Sequence, residues 1–460
     1  MKAQRIWRGL AICALAPIPC STYASQFGIE TTYDPVAPEA WSSQIVLDHG
    51  DADECQSSHM SAYNKWAAGD VPFFDSNSHH PLKPHFTSLN ASTGEQWEFD
   101  AVSADGDAGI LIAFYRDPEF SFLGPGDLRI NLDLTFSNGT MASLVDYAEQ
   151  SVIEFCPTHT TGTWFRKGAS YKFRIAHDMS TASVSFDAPD IRGTMELHST
   201  AKPRCADGSS WPPPTNSSGS YDMVRGMYWM EPMPAAQTSV DLDIRGSPFS
   251  FGNGIGGAER IWQSRTWFEM LHEYEFLRAA VGPYTMSYWA STAAEGRVGN
   301  LLLSRDGERV FSSSLRTDSP GRRSSRETSG LVDDHFMLRP TFGGDLRSSV
   351  GGRTETGYDL IISSPSRNKQ WSFHFEHKQT LFEFNLGRGA GGSSFMGPAT
   401  GGEKGAEEKF QGTFVNESVN FANLWVPSFV RFVMWTYHYA RRGVSEGIRS
   451  VVEMVVAYQM

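Results

Sequence analysis

The segment Gln96-Trp97-Glu98-Phe99-Asp100-Ala101-Val102 alternates polar with apolar side chains at almost every step. A period of two belongs to an extended strand, because a helix would scatter the same pattern around its axis. Asp105-Gly106-Asp107 follows as a turn and the apolar run 110–115 as a buried strand, so this region reads as a hairpin. Similar runs recur at 128–136, 164–175, 183–186, 193–198, 223–230 and 240–244, separated by short turn-rich pieces. That rhythm belongs to all-β sandwiches and barrels and leaves no room for βαβ units.

A second series of strand signals follows at 274–281, 284–290, 298–304, 336–340, 358–363, 371–378, 381–385 and 409–415, enough to close a β-barrel. A chain of 460 residues exceeds what one hydrophobic core normally serves. The glycine-rich stretch 247–257 is therefore expected to be a domain junction. Residues 202–221, 316–330 and the glycine-rich 387–405 are expected to be loops. Val444, Ile448, Val451, Val452 and Val455 recur at helical spacing and predict a short C-terminal helix.

The N-terminus reads as an export signal. Lys2, Arg5 and Arg8 precede a short apolar stretch, and Thr22-Tyr23-Ala24 suits cleavage, which starts the mature chain near Ser25. The stretch is too short to span a membrane. Sequons at Asn90, Asn138, Asn216 and Asn416 fit a secreted or secretory-lumen glycoprotein. Cys55, Cys156 and Cys205 lie beyond the signal, allowing one bridge and one free thiol. Cys156–Cys205 is the favoured pair, since both flank turn-rich segments; Cys55 with either partner stays open. The net charge of −13 argues against nucleic acid or an anionic membrane as partner.

Familiar catalytic signatures fail on context. Residues 252–257 and 387–392 both spell GxGxxG, yet neither opens a helix after a strand, which a dinucleotide site needs. His79, His80 and His85 cluster without an acid or cysteine at metal-ligand spacing, and there is no CxxC pair and no GxSxG elbow. Nothing in the chain calls for a metal or an organic cofactor.

Three stretches carry a resemblance. They are Glu95-Gln96-Trp97-Glu98-Phe99-Asp100-Ala101 running into Phe114-Tyr115, then Met227-Tyr228-Trp229-Met230-Glu231-Pro232-Met233-Pro234-Ala235-Ala236, and then 254–262 followed by Val281-Gly282-Pro283-Tyr284 and Tyr288-Trp289. This arrangement, from about Trp41 to Arg442, resembles the hydroxyneurosporene synthase-like family, and within it the fungal lipocalin-like Diels–Alderases. The resemblance implies an N-terminal β-sandwich packed on a C-terminal lipocalin-like β-barrel. With the signal at 1–24 and the helical tail at 443–460, the expected division is 25–256 and 257–442. Hydratase-like members often carry a His-Asp-containing stretch after the glycines. Here the place reads Gly257-Ala258-Glu259-Arg260-Ile261-Trp262, so carotenoid hydration does not carry over.

The signal and sequons look most like the secreted members that join a tropolone-derived o-quinone methide to a sesquiterpene such as a hydroxylated humulene. A hetero-Diels–Alder reaction of that kind needs orientation, aromatic walls and a hydrogen-bond donor to the quinone methide oxygen. The expected walls are Trp229, Trp262, Trp267, Tyr284, Trp289 and Trp425. Arg260 or Tyr228 is the expected donor, with Arg260 equally suited to a structural ion pair. Glu231 or Glu259, if burial raises its pKa, is the expected acid, with Asp100 beside them. His377 shares a strand face with Trp371, Phe373 and Phe375 and is placed as a ligand contact. Partners are hydrophobic small molecules. A non-catalytic carrier, an intramolecular Diels–Alderase of polyketide biosynthesis and a sugar-binding sandwich are the competing readings.

Overall fold

The computed structural model describes residues 55–422, apart from 63, 65, 68–69, 72–79, 91, 119–125, 214–218, 319–333, 349–353, 388 and 407. The export signal, Asn216, Trp425 and the expected C-terminal helix lie outside the described residues. What is described is all-β, built as two antiparallel sheets of 14 and 10 strands. Among the described residues one short α-helix occurs, Trp267–Met270.

In the first sheet Gln56–Ser61 forms one edge and Met141–Tyr147 the other, with Met227–Ile244 and Ser247–Gln263 in the middle. These central strands run 18 and 17 residues, and their pairing slips at three places. Such bulges bend a sheet. The two wings therefore fold towards each other, and Trp97 of Gly94–Val102 meets Trp164 of His159–Arg166 with ring centroids 5.5 Å apart although several strands intervene. One curled sheet thus stands where two stacked sheets were expected. Trp97, Phe99, Phe114, Trp164 and Phe173 fill its concave side.

The second sheet runs from Glu308–Asp318 through Glu273–Val281 and Phe410–Asn420 to His335–Thr341. Its ends approach each other, since Ser313 Oγ donates to Asp334 O at 3.5 Å and Phe311 meets Trp371 at 6.4 Å, giving a nearly closed barrel. Tyr284, Leu301, Trp371, Phe373, Phe375 and Phe414 pack its interior.

Several expectations change here. The glycine-rich 247–257 is no junction but part of the Ser247–Gln263 strand. The passage between the sheets falls at 264–272, beyond the 256/257 division. The glycine-rich 387–405 is no loop either. Most of it is the strand Ala390–Glu403, where a Cβ on Gly401 would stand 2.3 Å from Ser372 O. The disulfide joins Cys55 to Cys156, and Cys205 is free and buried, which corrects the Cys156–Cys205 pairing. Strand register explains it: Gln56 faces Phe155, so the residues just outside that pair face each other too. Asn416 is only 3% exposed within Phe410–Asn420, so that sequon has no room for a glycan in the folded chain. Asn138 is exposed in a turn and Asn90 is half-buried.

Candidate active site

From Gly256 to Gln263 the Ser247–Gln263 strand is covered on both sides, and alternation sends consecutive residues to opposite environments. Ala258, Arg260 and Trp262 face the concave core of the first sheet, where Ala258 and Trp262 join its apolar cluster. Glu259 and Ile261 face the barrel, and Ile261 joins a separate apolar cluster with Trp229, Tyr274, Phe276 and Trp289.

Arg260 is consequently not at the interface. Its Nη2 donates to Glu95 Oε2 at 2.5 Å, its Nη1 donates to Gln96 O and Ile261 O, and its guanidinium lies 3.7 Å from the Trp97 ring. Arg116 approaches the other Glu95 oxygen at 3.6 Å. Of the two expected roles, Arg260 takes the structural ion pair. Tyr228 and Trp262 stack on each other on the same core side, and His85 stacks on Trp262 at 3.9 Å. Tyr284 belongs to the barrel core against Phe373 and Phe410. None of these four touches the interface, which corrects their placement as donors or walls.

Trp229, Trp289 and Trp267 do come together between the sheets. Trp229 and Trp289 lie 5.5 Å apart, and Trp267 packs edge-on to Tyr274 at 6.1 Å. His377 continues the Trp371-Phe373-Phe375 face into the barrel and stacks on Phe395 at 4.1 Å. Burial holds its imidazole down to about 4, so it is neutral at physiological pH.

Beside the tryptophans lies a buried polar layer. Glu231 is fully buried. Arg204 Nε donates to its Oε2 at 2.5 Å, Arg278 Nη2 to its Oε1 at 3.0 Å, and Ser287 Oγ to both oxygens. Arg204 continues to Asn300 Oδ1 at 2.6 Å and Ser287 Oγ at 2.8 Å. Glu231 and Arg204 come from the first sheet, and Arg278, Ser287 and Asn300 from the barrel, so this cluster rivets the two together. Burial pushes Glu231 up while Arg204 and the Ser287 hydroxyl pull it down, and with its oxygens taken by two guanidiniums and a hydroxyl it serves as an anchor between the sheets. Asp100 likewise pairs with Arg278.

Next to the rivet the acids outnumber the cations. Glu98 and Glu259 are direct cross-strand partners, and Glu417 faces them from the barrel strand Phe410–Asn420. Burial first, then the Glu417 charge, pushes Glu98 well above the usual carboxylate range. Burial, Glu98 and Glu231 push Glu259 up in the same way. Burial and Glu259 lift Glu417 to about 8, and burial lifts Asp133 to about 6. Like charges this close cannot all ionise. Glu259 accepts from Trp229 Nε1 at 2.9 Å and Tyr274 OH at 3.4 Å, and Arg278 stands 3.5 Å away. Glu98 accepts from Gln96 Nε2 at 3.2 Å. Hydrogen bonds to an anion favour the anion, so within this pair the proton belongs to Glu98.

Glu98, Tyr115, Asn131, Asp133 and Glu417 all keep some accessible surface. Glu98, Tyr115, Asp133 and Glu417 are nevertheless surrounded by protein. That combination marks a recess between sheet and barrel, lined by carboxyls, a tyrosine and an amide. A second concavity, about 690 Å³, lies on the outer face of the first sheet around His159, Arg174, Glu196 and His198. It is open and holds no buried charge, so the recess is the stronger candidate. Glu98, Glu417 and Arg278 were missed as site residues in the sequence. Their signal is a charged residue at an alternate position in a strand otherwise buried on both faces. No group of three or more side chains placed to hold a metal ion occurs among the described residues.

Comparison with known proteins agrees with this architecture. The Diels-Alderase-like family model matches residues 52–422. Diels-Alderase ffsF of Aspergillus flavipes is 35% identical over 397 residues, covering 85% of this chain and 92% of that protein. Diels-Alderase cheD of Chaetomium globosum is 32% identical over 92% of this chain and 95% of its own length. The crystal structure of CghA with Sch210972 superposes with a TM-score of 0.66 at 26% identity, covering 79% of this chain and 98% of that one. The chain belongs to the Diels-Alderase-like family.

Proposed function

We propose that this protein is a Diels–Alderase of fungal secondary metabolism, and that it works in the recess between the first sheet and the barrel. The observation that carries the reading is the acid pair Glu98 and Glu417, enclosed between sheet and barrel beside an aromatic cluster, where burial pushes both carboxyls up. A cycloaddition forms its bonds in one concerted step and needs no nucleophile. Holding diene and dienophile in a near-attack pose removes entropy, with up to ~7–11 kcal/mol available in the best cases. A hydrogen bond from a neutral carboxyl to the dienophile carbonyl or quinone methide oxygen stabilises the charge that develops there. It also selects one face of approach. Glu98 and Glu417 take that role, Tyr115 assists, and Trp229, Trp289 and Trp267 wall the apolar side.

The finer proposal is an intermolecular hetero-Diels–Alder reaction between a tropolone-type o-quinone methide and a hydroxylated humulene, carried out by a secreted protein. The leader-like N-terminus and the exposed sequon at Asn138 support it. So does an acid that stays protonated at neutral pH, since dehydrating the precursor alcohol needs a proton donor. The test offers the purified chain two substrate sets, the quinone-methide precursor with a humulene alcohol, and a linear polyene ending in an activated alkene. Products are resolved by chiral chromatography against buffer. One enantiomer formed faster than in buffer identifies the reaction class. Tight binding of both sets with unaccelerated, racemic product would overturn the enzyme reading in favour of a carrier.

A further inference from the structure

Arg278 projects from the barrel strand Glu273–Val281 across the interface and is completely buried. Its Nη1 pairs with Asp100. Its Nη2 reaches Glu231 Oε1 at 3.0 Å and Glu259 Oε1 at 3.5 Å, and its Nε donates to Pro234 O at 3.0 Å. The seat for this guanidinium is a missing side chain. A Cβ on Gly257 would stand 2.5 Å from Arg278 Cζ and Nε. Gly257 is the cross-strand partner of Asp100 and lies two residues before Glu259. The glycine therefore opens a hole at the centre of the acids, and the arginine fills it. This gives the glycine run a physical task that neither a domain junction nor a phosphate loop describes.

The arrangement divides the acids into two groups. Asp100 and Glu259 on the first sheet, and Glu231 backed by Arg204, touch the guanidinium. Glu98 on the first sheet and Glu417 on the neighbouring barrel strand lie within its electrostatic reach but make no ion pair with it. Asp133 adds negative charge behind both, and Tyr274 and Ser287 add hydroxyls to Glu259 and Glu231. We infer that Arg278, seated against Gly257, is the positioning residue of this site: its guanidinium binds Asp100, Glu231 and Glu259 directly and leaves Glu98 and Glu417 without an ion pair, so that hydrogen-bond donation falls to those two. The consequence for turnover rests on the cycloaddition reading, whereas the division of protons among the acids does not.

The test is an infrared titration of the protonated glutamate C=O band in the full chain, from about pH 5 to about pH 10, with E98Q and E417Q spectra assigning the band. Opposite charges at this range move a carboxyl by about one to three pH units. In R278M the loss of protonated carboxyl should therefore move up by at least about one unit, and R278K should restore most of the difference. D100N, which leaves the guanidinium but removes one of its anions, should move the same band downwards. Opposite signs separate an electrostatic role from a merely structural one, and D100N keeps the test alive if R278M does not fold. Wild-type titration in R278M, or an upward shift in D100N, would overturn the inference. Turnover is measured on the same samples. Shifts as stated with no cycloaddition by the wild type would reject the proposed function and leave Arg278 in place, while turnover without the shifts would reject Arg278 alone.

Discussion

Two buried charge clusters occupy the two faces of the Ser247–Gln263 strand, reached by the neighbouring residues Arg260 and Glu259. On the core side Arg260 and Arg116 share one carboxylate, Glu95, and Arg260 lies on the face of Trp97. Cations are in excess, and the donors of Arg260 go to backbone carbonyls of the same sheet. On the barrel side the balance is reversed. Acids exceed guanidiniums, partners come from both sheets, and part of the cluster opens into a recess. A buried charge paired within one sheet organises a fold, at a desolvation cost that packing must offset. A buried acid left short of cations keeps its proton and becomes a donor. The same strand therefore serves architecture on one face and chemistry on the other.

Breaking the core-side cluster should have the largest effect. Arg260→Met leaves Glu95 buried with Arg116 alone, and a buried pair broken on one side costs about 3–5 kcal/mol. Denaturant unfolding should show that loss, while the rate per folded molecule stays near wild type. An equal loss of rate would place Arg260 in the site after all.

Breaking the barrel-side cluster should do the reverse. Glu98→Gln keeps the shape but replaces the acid O–H with a weaker donor. Removing one such donor costs about 10²–10³ in rate. kcat/KM for the cycloaddition should fall by about 10²-fold with no loss of stability, since the variant also lacks the cost of a buried acid whose pKa is raised.

Glu417→Gln sharpens the comparison through pH. The folded Glu417 holds its proton up to about 8, above the 4.5 of a free glutamate. The native state thus binds more protons than the unfolded chain across that window, so wild-type stability falls as pH rises through it and levels off above. The variant lacks this penalty. Relative to wild type it should gain on the order of 1–3 kcal/mol above about pH 8 and nothing below about pH 4. Thermal melts at both ends of the window read the difference.

The smallest effect concerns the surface. Peptide mass mapping of protein expressed through a secretory pathway should find glycan at Asn138 and none at Asn416. A glycan on Asn416 would mean that the Phe410–Asn420 strand is not buried as described.

The alternation in 96–102 sorts Gln96, Glu98 and Asp100 onto one face of a strand, and the structure keeps that sorting. It carries no information about what covers the face, because the cover is a barrel strand more than 150 residues away. The tryptophans show the same limit. Trp229 and Trp289 reach the interface while Trp262 sinks into the first core, a division set by strand parity once the pairing is known. His377 was legible as a barrel-facing residue because its own strand carries the pattern. The glycine-rich stretches misled because glycine weakens a strand in isolation. Here Gly257 and Gly401 are needed where a guanidinium or a neighbouring carbonyl comes too close for any Cβ. The disulfide was illegible for a related reason, since flanking turns say less than the register that sets Gln56 opposite Phe155.

The pH dependence of the cycloaddition rate tests the central claim most directly. If neutral Glu98 and Glu417 are the donors, kcat/KM should hold a plateau through neutral pH and fall above about 8, where Glu417 loses its proton. A rate that stays flat or rises to about pH 10, with the protein still folded, would contradict catalysis by neutral carboxyls.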